Sequence, residues 1–220
     1  MAAARTLEIN GYQGAPVPHT FFQQEKESDH LAVLLPGVGY SAHMPLLHYP
    51  LRLSLDLGAD VLRLEYAYAA RAEYGALPAQ EQARWLFTDV TAACRAALTQ
   101  RAYQQVTLVG KSLGTLAMGH LLTAEPDLSH AQAIWLTPLL WNELLRAQIQ
   151  RARPRSLFAV GTADAHYHAR YLAELKAATG GEAVVIEGAN HSLEIAGDAM
   201  GSLRALEQIM RAVQAFLLRR

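Results

Sequence analysis

Cysteine is nearly absent from this sequence. Cys94 is alone among 220 residues, which excludes an intrachain disulfide and a cysteine-rich zinc site and fits a reducing compartment. Charge is sparse as well: charged residues make up 18% of the chain, and 19 basic against 20 acidic side chains leave a formal net charge of −1. Such a balance gives no electrostatic reason to expect nucleic acid or an anionic membrane surface. No apolar run approaches the roughly 20 residues needed to cross a bilayer. The opening stretch, MAAARTLE, has no apolar segment of signal-peptide length. Repeats, low-complexity tracts and linkers are lacking too. With 51% of its residues hydrophobic, the chain reads as an ordinary globular protein of the cytoplasm, with residues 1–220 in one domain around a proper core.

What is present is organised around Val106–Thr115, V-T-L-V-G-K-S-L-G-T. Val106 to Val109 are rich in β-formers, and Thr115 to Leu122 reads as a buried helix. Between them lies Gly110-Lys111-Ser112-Leu113-Gly114, with a serine at the apex of a tight turn. Strand, G-x-S-x-G turn and helix are the context of a nucleophile elbow. The spacing has a chemical reason. The serine must sit in a strained turn, and the flanking glycines leave room where strand and helix nearly touch. The helix N-terminus behind it offers free N–H groups and a positive dipole end to a developing oxyanion. A chance G-x-S-x-G in a chain this long is roughly a one-in-fifteen event, so the weight comes from the flanking elements.

Taken in order, the pattern predicts a short strand pair at Thr6–Ile9 and Thr20–Phe22, then a buried strand at Leu31–Leu35 that stops at Pro36-Gly37-Val38-Gly39-Tyr40. A helix from Leu46 to Leu57 is closed by Gly58. Val61–Glu65 is a strand and Ala79–Thr99 a helix with Leu86, Val90, Ala93 and Ala97 on one face. After the elbow come strands at Ala131–Leu136, Ser156–Val160 and Ala183–Ile186. Helices at Asn142–Ile149, Tyr167–Ala178 and Leu203–Leu218 alternate with them. Such alternation means βαβ units: an α/β fold with a mostly parallel sheet covered on both faces and an antiparallel edge from the first strands.

In such sheets functional residues collect beyond the carboxyl ends of strands. Three of these loops carry complementary groups: Ser112, Asp164 in Gly161-Thr-Ala-Asp164, and His191 in Gly188-Ala-Asn-His191. A hydroxyl needs a base to become a nucleophile, and the base needs a carboxylate to fix its tautomer. The chain order Ser…Asp…His is the one stated for α/β-hydrolases.

On these three motifs, nearly the whole chain from Leu31 onward resembles a small α/β-hydrolase of the dienelactone-hydrolase-like or carboxylesterase-like kind. The resemblance implies Ser112 as nucleophile, Asp164 as acid and His191 as base. It also implies an oxyanion hole from the backbone N–H of Leu113 and one from the loop after Leu35, by position Val38 with Gly39 next. The chain departs from the common pattern in carrying Pro36-Gly37 where many members have His-Gly. It departs again between the strands at Ala131–Leu136 and Ser156–Val160, where members often insert a cap. Only one helix fits there, so no cap is expected. The mouth should be shallow and partly solvated, shaped by Gly39, Tyr40, His43, Met44, Leu139 and Trp141, with loop packing an equal reading for Tyr40 and His43, and suited to small or protruding substrates or a patch of another macromolecule.

Competing readings are weaker. Ser112 could be a simple N-cap, Asp164 an Asx-turn residue with Asp198 or Glu194 as the fallback acid, and His191 a loop histidine. His166 and His168 open a predicted helix, where residues two apart diverge, and no zinc-spaced carboxylate accompanies them, so they read as solvated or capping histidines and no metal and no cofactor are expected. Lys111 reads as a solvated elbow residue, and Arg151, Arg153 and Arg155 as a solvated helix end. Tyr66, Tyr68, Trp135 and Trp141 read as core or rim. The expected activity is that of a serine hydrolase on a carboxylic ester or thioester with a small-molecule acyl substrate. An acyltransferase, peptidase or C–C hydrolase on the same triad, and an inactive binding protein, are the alternatives. The apolar-rimmed mouth is also compatible with a homodimer.

Overall fold

The structure is a computed structural model, and it describes residues 2–219. Eight strands form one sheet in the order β1-β2-β4-β3-β5-β6-β7-β8. In chain order these are β1 (Ala2–Arg5), β2 (His19–Gln24), β3 (His30–Leu35), β4 (Asp60–Leu64), β5 (Gln105–Lys111), β6 (Gln132–Leu136), β7 (Ser156–Gly161) and β8 (Glu182–Ile186). The helices are α1 (Pro45–Asp56), α2 (Ala72–Gly75), α3 (Ala79–Leu98), α4 (Leu113–Ala124), α5 (Glu143–Ala152), α6 (Ala169–Thr179) and α7 (Ala199–Leu218). From β4 across to β8 every neighbouring pair is parallel, and β1 and β2 add an antiparallel edge.

The sheet's period of two sorts its apolar residues between two cores. In β3, Leu31, Val33 and Leu35 face α3, α4, α5 and α6, whereas Ala32 and Leu34 face α1 and α7. All five are fully buried, which is why the strand reads as one continuous apolar run. In β5, Val106 and Leu108 share the first face and Val109 the second. Between β6 and β7 the chain holds α5 and no cap domain.

Several boundaries differ from the sequence expectation, each for a local reason. The first strand lies at Ala2–Arg5, not at Thr6–Ile9. Leu7 N–H donates instead to His19 Nε2 at 2.9 Å, and Ile9 and Val17 are drawn into the core on the α3 side. Strand β5 continues two residues past Val109, to Lys111. Helix α6 starts at Ala169 because His168 caps it, its Nδ1 accepting from Tyr171 N–H at 3.3 Å. Helix α7 starts at Ala199, four residues before Leu203, because Asp198 Oδ1 accepts from Gly201 N–H at 2.7 Å. Arg155 is more than a solvated helix end. Its guanidinium donates to the Phe216 carbonyl at 2.7 Å and lies over the Phe216 ring, tying β7 to the end of α7.

Gly114 is where the fold is tightest. A Cβ built there would stand 2.0 Å from the Leu35 carbonyl oxygen, 2.7 Å from its carbon and 3.0 Å from the Pro36 oxygen. All three are backbone atoms at the end of β3, so no rotamer relieves the collision. Gly114→Ala is therefore expected to destabilise the chain by about 3 kcal/mol or more, and to lower Tm by roughly 6–12 °C. Gly39→Ala is the control, since its Cβ would meet nothing within 4 Å. Thermal melts of the two variants check this; equal Tm values would mean the β3–α4 approach is looser than described.

Candidate active site

The elbow follows from its sequence. Strand β5 ends at Lys111 and α4 begins at Leu113, so one residue, Ser112, makes the whole turn, with φ 54° and ψ −116°. A positive φ is costly for a residue with a Cβ. The turn is over-determined nonetheless. Ser112 N–H donates to the Leu136 carbonyl at 3.1 Å, and the Ser112 carbonyl accepts from Thr115 N–H at 2.9 Å and Thr115 Oγ1 at 2.6 Å. Gly110 leaves room for the returning helix, since a Cβ there would stand 2.3 Å from Met118 Sδ. Thr137 (φ 45°) and Leu193 (φ 59°) share this backbone strain, and both lie on loops past carboxyl ends of strands.

The loops after β7 and β8 bring Asp164 and His191 to Ser112. They are stitched together: Gly188 N–H donates to Thr162 Oγ1 at 2.8 Å and Ala163 N–H to the Ala189 carbonyl at 3.0 Å. A Cβ on Gly161 would lie 2.1 Å from that same Ala189 oxygen, so only glycine allows the approach. Asn190 shapes the histidine loop from within, its Oδ1 accepting from Ser192 N–H at 2.8 Å and Glu194 N–H at 3.2 Å.

The result is a three-residue relay. His191 Nδ1 lies 2.8 Å from Asp164 Oδ2, and His191 Nε2 lies 2.8 Å from Ser112 Oγ. A carboxylate only accepts, so Nδ1 carries the proton and donates to Asp164, leaving Nε2 to accept from the serine hydroxyl. Asp164 is buried, and its other oxygen accepts from His166 N–H at 2.8 Å. Burial alone would push its carboxyl up, but the bonds from His191 and His166 and the fields of both histidines hold it below the usual value. It stays ionised at neutral pH. Such an arrangement can deprotonate Ser112 and stabilise the imidazolium that forms.

The loop after β3 borders the serine. Gly37 sits against it, a Cβ at Gly37 coming within 3.2 Å of Ser112 Cβ. Tyr66 Oη donates to the Pro36 carbonyl at 2.9 Å, and Gly37 N–H donates to the Tyr40 carbonyl at 3.1 Å, which fixes the turn that carries Val38 and Gly39. Val38 is 47% exposed. Leu113 opens α4, where the first N–H groups have no intrahelical acceptor.

The other residues proposed to shape the mouth separate into two groups. Trp141 is 53% exposed, and its Nε1–H donates at 3.1 Å to the Ala165 carbonyl, next to Asp164. Met44 and His43 are exposed and, with Val38 and Gly39, line a cavity of about 430 Å³ between the loop after β3 and the residues that follow β4. Tyr40 turns inward instead: it is buried, its Oη accepts from Leu46 N–H at 2.9 Å, and it floors a larger cavity of about 760 Å³ beside the histidine loop. Leu139 packs against the main core. Of the fallback acids, Asp198 caps α7 and Glu194 is exposed, and neither occupies the place at His191 Nδ1. His168 caps α6, and the His166 ring lies 5.0 Å from that of His191. Tyr66, Tyr68 and Trp135 are core residues. So is Cys94, whose thiol is pushed up to about 12 by burial and so is unreactive.

Lys111 is the correction. Expected in solvent, it is 2% exposed, and its ammonium donates to the His191 carbonyl at 3.1 Å and sits 4.7 Å over the Tyr40 ring. Strand alternation carries the missed signal, because Lys111 lies two residues beyond Val109 and so shares the face that α1 and α7 cover. Asn190 was missed too; an Asx residue directly before the base is its signal.

A parallel sheet with a serine elbow at its centre and acid and base on later strand-end loops defines a class of α/β enzyme folds. The sequence profile described as an alpha/beta hydrolase domain matches residues 28–217, and the chain belongs to that family. Solved structures share the fold at low identity. An esterase of Pyrococcus furiosus superposes with a TM-score of 0.73 at 14% identity, covering 99% of this chain and 91% of that one. A predicted CIB-like hydrolase of Thermoplasma acidophilum gives 0.70 at 18%, covering 99% of both chains. A serine hydrolase without lid from Xanthomonas campestris gives 0.67 at 19%, covering 99% and 94%. Among proteins of curated function, none matches this chain.

Proposed function

We propose that this chain, folding as one domain over residues 1–220, is a serine hydrolase that cleaves carboxylic esters or thioesters through an acyl-enzyme on Ser112. The observation that carries the reading is the pair of 2.8 Å contacts linking Asp164 to His191 and His191 to Ser112. In the first step Ser112 Oγ attacks the acyl carbon while its proton passes to His191 Nε2. Asp164 orients the ring and stabilises its charge. The N–H groups of Leu113 and Val38 hold the tetrahedral oxyanion, each worth about 10²–10³ in kcat by analogy with other hydrolases. Collapse breaks the bond to the alkoxide or thiolate, which leaves with the proton from Nε2. Water then attacks the acyl-enzyme, gives its proton to Nε2, and Ser112 recovers it as the acid departs.

The site's openness supports small or protruding acyl substrates. No cap covers the loops, and Val38, next to the glycine that borders Ser112, and Trp141, bonded beside Asp164, stand exposed. The near-neutral charge and a single buried cysteine support a cytoplasmic setting without nucleic-acid or membrane partners. No helix among the described residues is long and apolar enough to cross a membrane.

The test is intact-mass spectrometry after exposure to a fluorophosphonate. Wild type is expected to gain one adduct, mapped to Ser112, and His191→Ala none within the same time. Folded wild type that takes up no adduct would overturn the reading.

A further inference from the structure

We propose that Lys111 is a positioning residue for His191, a buried ammonium that ties the histidine loop to the nucleophile elbow and to the loop after β3. The inference rests on the triad reading above. Its basis is that one side chain touches all three loops. Lys111 is itself the residue before Ser112, its Nζ donates to the His191 carbonyl at 3.1 Å, and the same ammonium lies 4.7 Å above the Tyr40 ring. Tyr40 in turn accepts Gly37 N–H on its carbonyl and Leu46 N–H on its hydroxyl. A buried cation is retained at a cost in desolvation, and a lysine at 2% exposure without a carboxylate in direct contact calls for a compensating role. Pinning the backbone of the base is such a role. The Nε2–Oγ distance depends on where residue 191 sits, and a displacement of about 1 Å in such a contact can cost on the order of 10²-fold in rate.

The tether has a pH window. Facing Lys111 are Asp164 after β7, the His191 carbonyl and the Tyr40 ring; His166 lies beyond, against the His191 ring, and Glu194 beyond Tyr40. Burial pulls the ammonium down from 10.5 to about 8, against the opposing field of Asp164. The charge on Lys111, with its charge-assisted bond and its attraction to the Tyr40 face, is therefore present below about 8 and lost as pH rises through it.

The experiment compares wild type, Lys111→Met and Lys111→Arg in two readouts. The first is the rate constant of fluorophosphonate labelling of Ser112 from pH 6 to 10. Wild type should fall severalfold as pH passes about 8. Lys111→Met should be slower by ten- to a hundredfold at pH 7, with no such fall. Lys111→Arg, whose charge persists, should hold its rate across the range. The second readout is hydrogen–deuterium exchange over residues 188–196, which needs no chemistry at Ser112 and should quicken in Lys111→Met. Labelled wild type with Lys111→Met within twofold of it at every pH would overturn the inference and leave the hydrolase reading standing. If wild type takes no label, the hydrolase reading falls, and exchange alone decides whether Lys111 pins the loop: faster exchange supports the tether, unchanged exchange overturns it.

Discussion

Ser112→Ala is expected to lower kcat by about 10⁶, to the level that oxyanion donors and substrate binding sustain without a nucleophile. The loss follows from the mechanism rather than from any damage to the fold. The variant deletes the atom that forms the acyl bond but nothing that holds the turn, because Ser112 enters the elbow through its backbone. Its N–H donates to Leu136 and its carbonyl accepts from Thr115, and both bonds survive in alanine. Alanine also carries a Cβ, so the cost of φ 54° is unchanged. Steady-state assays with short-chain activated esters and a thermal melt separate the two effects. Near-complete loss of turnover with Tm within about 2 °C of wild type is the expected pair. Turnover at wild-type rate in the folded variant would remove Ser112 from the mechanism.

Much of this geometry is legible in the chain before folding, and the reason is periodicity. Strands buried on both faces, such as Leu31–Leu35, announce themselves as unbroken apolar runs, and their alternation with helices leaves few topologies open. The three residues that meet in space are also marked locally, each standing within a few residues of a strand's end in a glycine-bearing turn. What stayed hidden was decided by contacts distant in sequence. Lys111 looks like a surface residue because its hydrogen-bond acceptor, the His191 carbonyl, is 80 positions away. The edge strand was misplaced for a similar reason. Leu7 and Ile9 have β-strand character, but the core on the α3 side takes them and the pairing falls to the plain run Ala2–Arg5. Helix starts shift with the exact cap residue: the capping role open to His168 is realised and α6 begins after it, and Asp198 caps α7 four residues before Leu203.

Asp164→Asn is expected to cost about 10⁴ in kcat with little change in fold, by analogy with the same exchange in serine proteases. Asparagine matches aspartate in shape, and its oxygen can keep the 2.8 Å bond that Asp164 Oδ1 accepts from His166 N–H. That choice turns the amide NH₂ toward His191 Nδ1 at the position of Oδ2. An NH₂ group donates, so Nδ1 must then accept, and the imidazole proton moves to Nε2. There it faces Ser112 Oγ, 2.8 Å away, and the ring can no longer take the hydroxyl proton. The variant also removes the charge that would stabilise imidazolium, and that charge is firmly held in wild type, since the bonds from His191 and His166 outweigh burial and keep the carboxyl below its usual range. The linkage sign follows. A depressed folded-state value means Asp164 contributes stability above the ordinary carboxylate range, and that contribution fades as pH falls through the folded value. Asp164→Asn should therefore melt closer to wild type at pH 3 than at pH 7, while its kcat stays about 10⁴-fold low at neutral pH. Retained turnover at pH 7 would show that Asp164 does not set the tautomer of His191. A stability gap that widened toward acid pH would show that its carboxyl is not held in the ionised form.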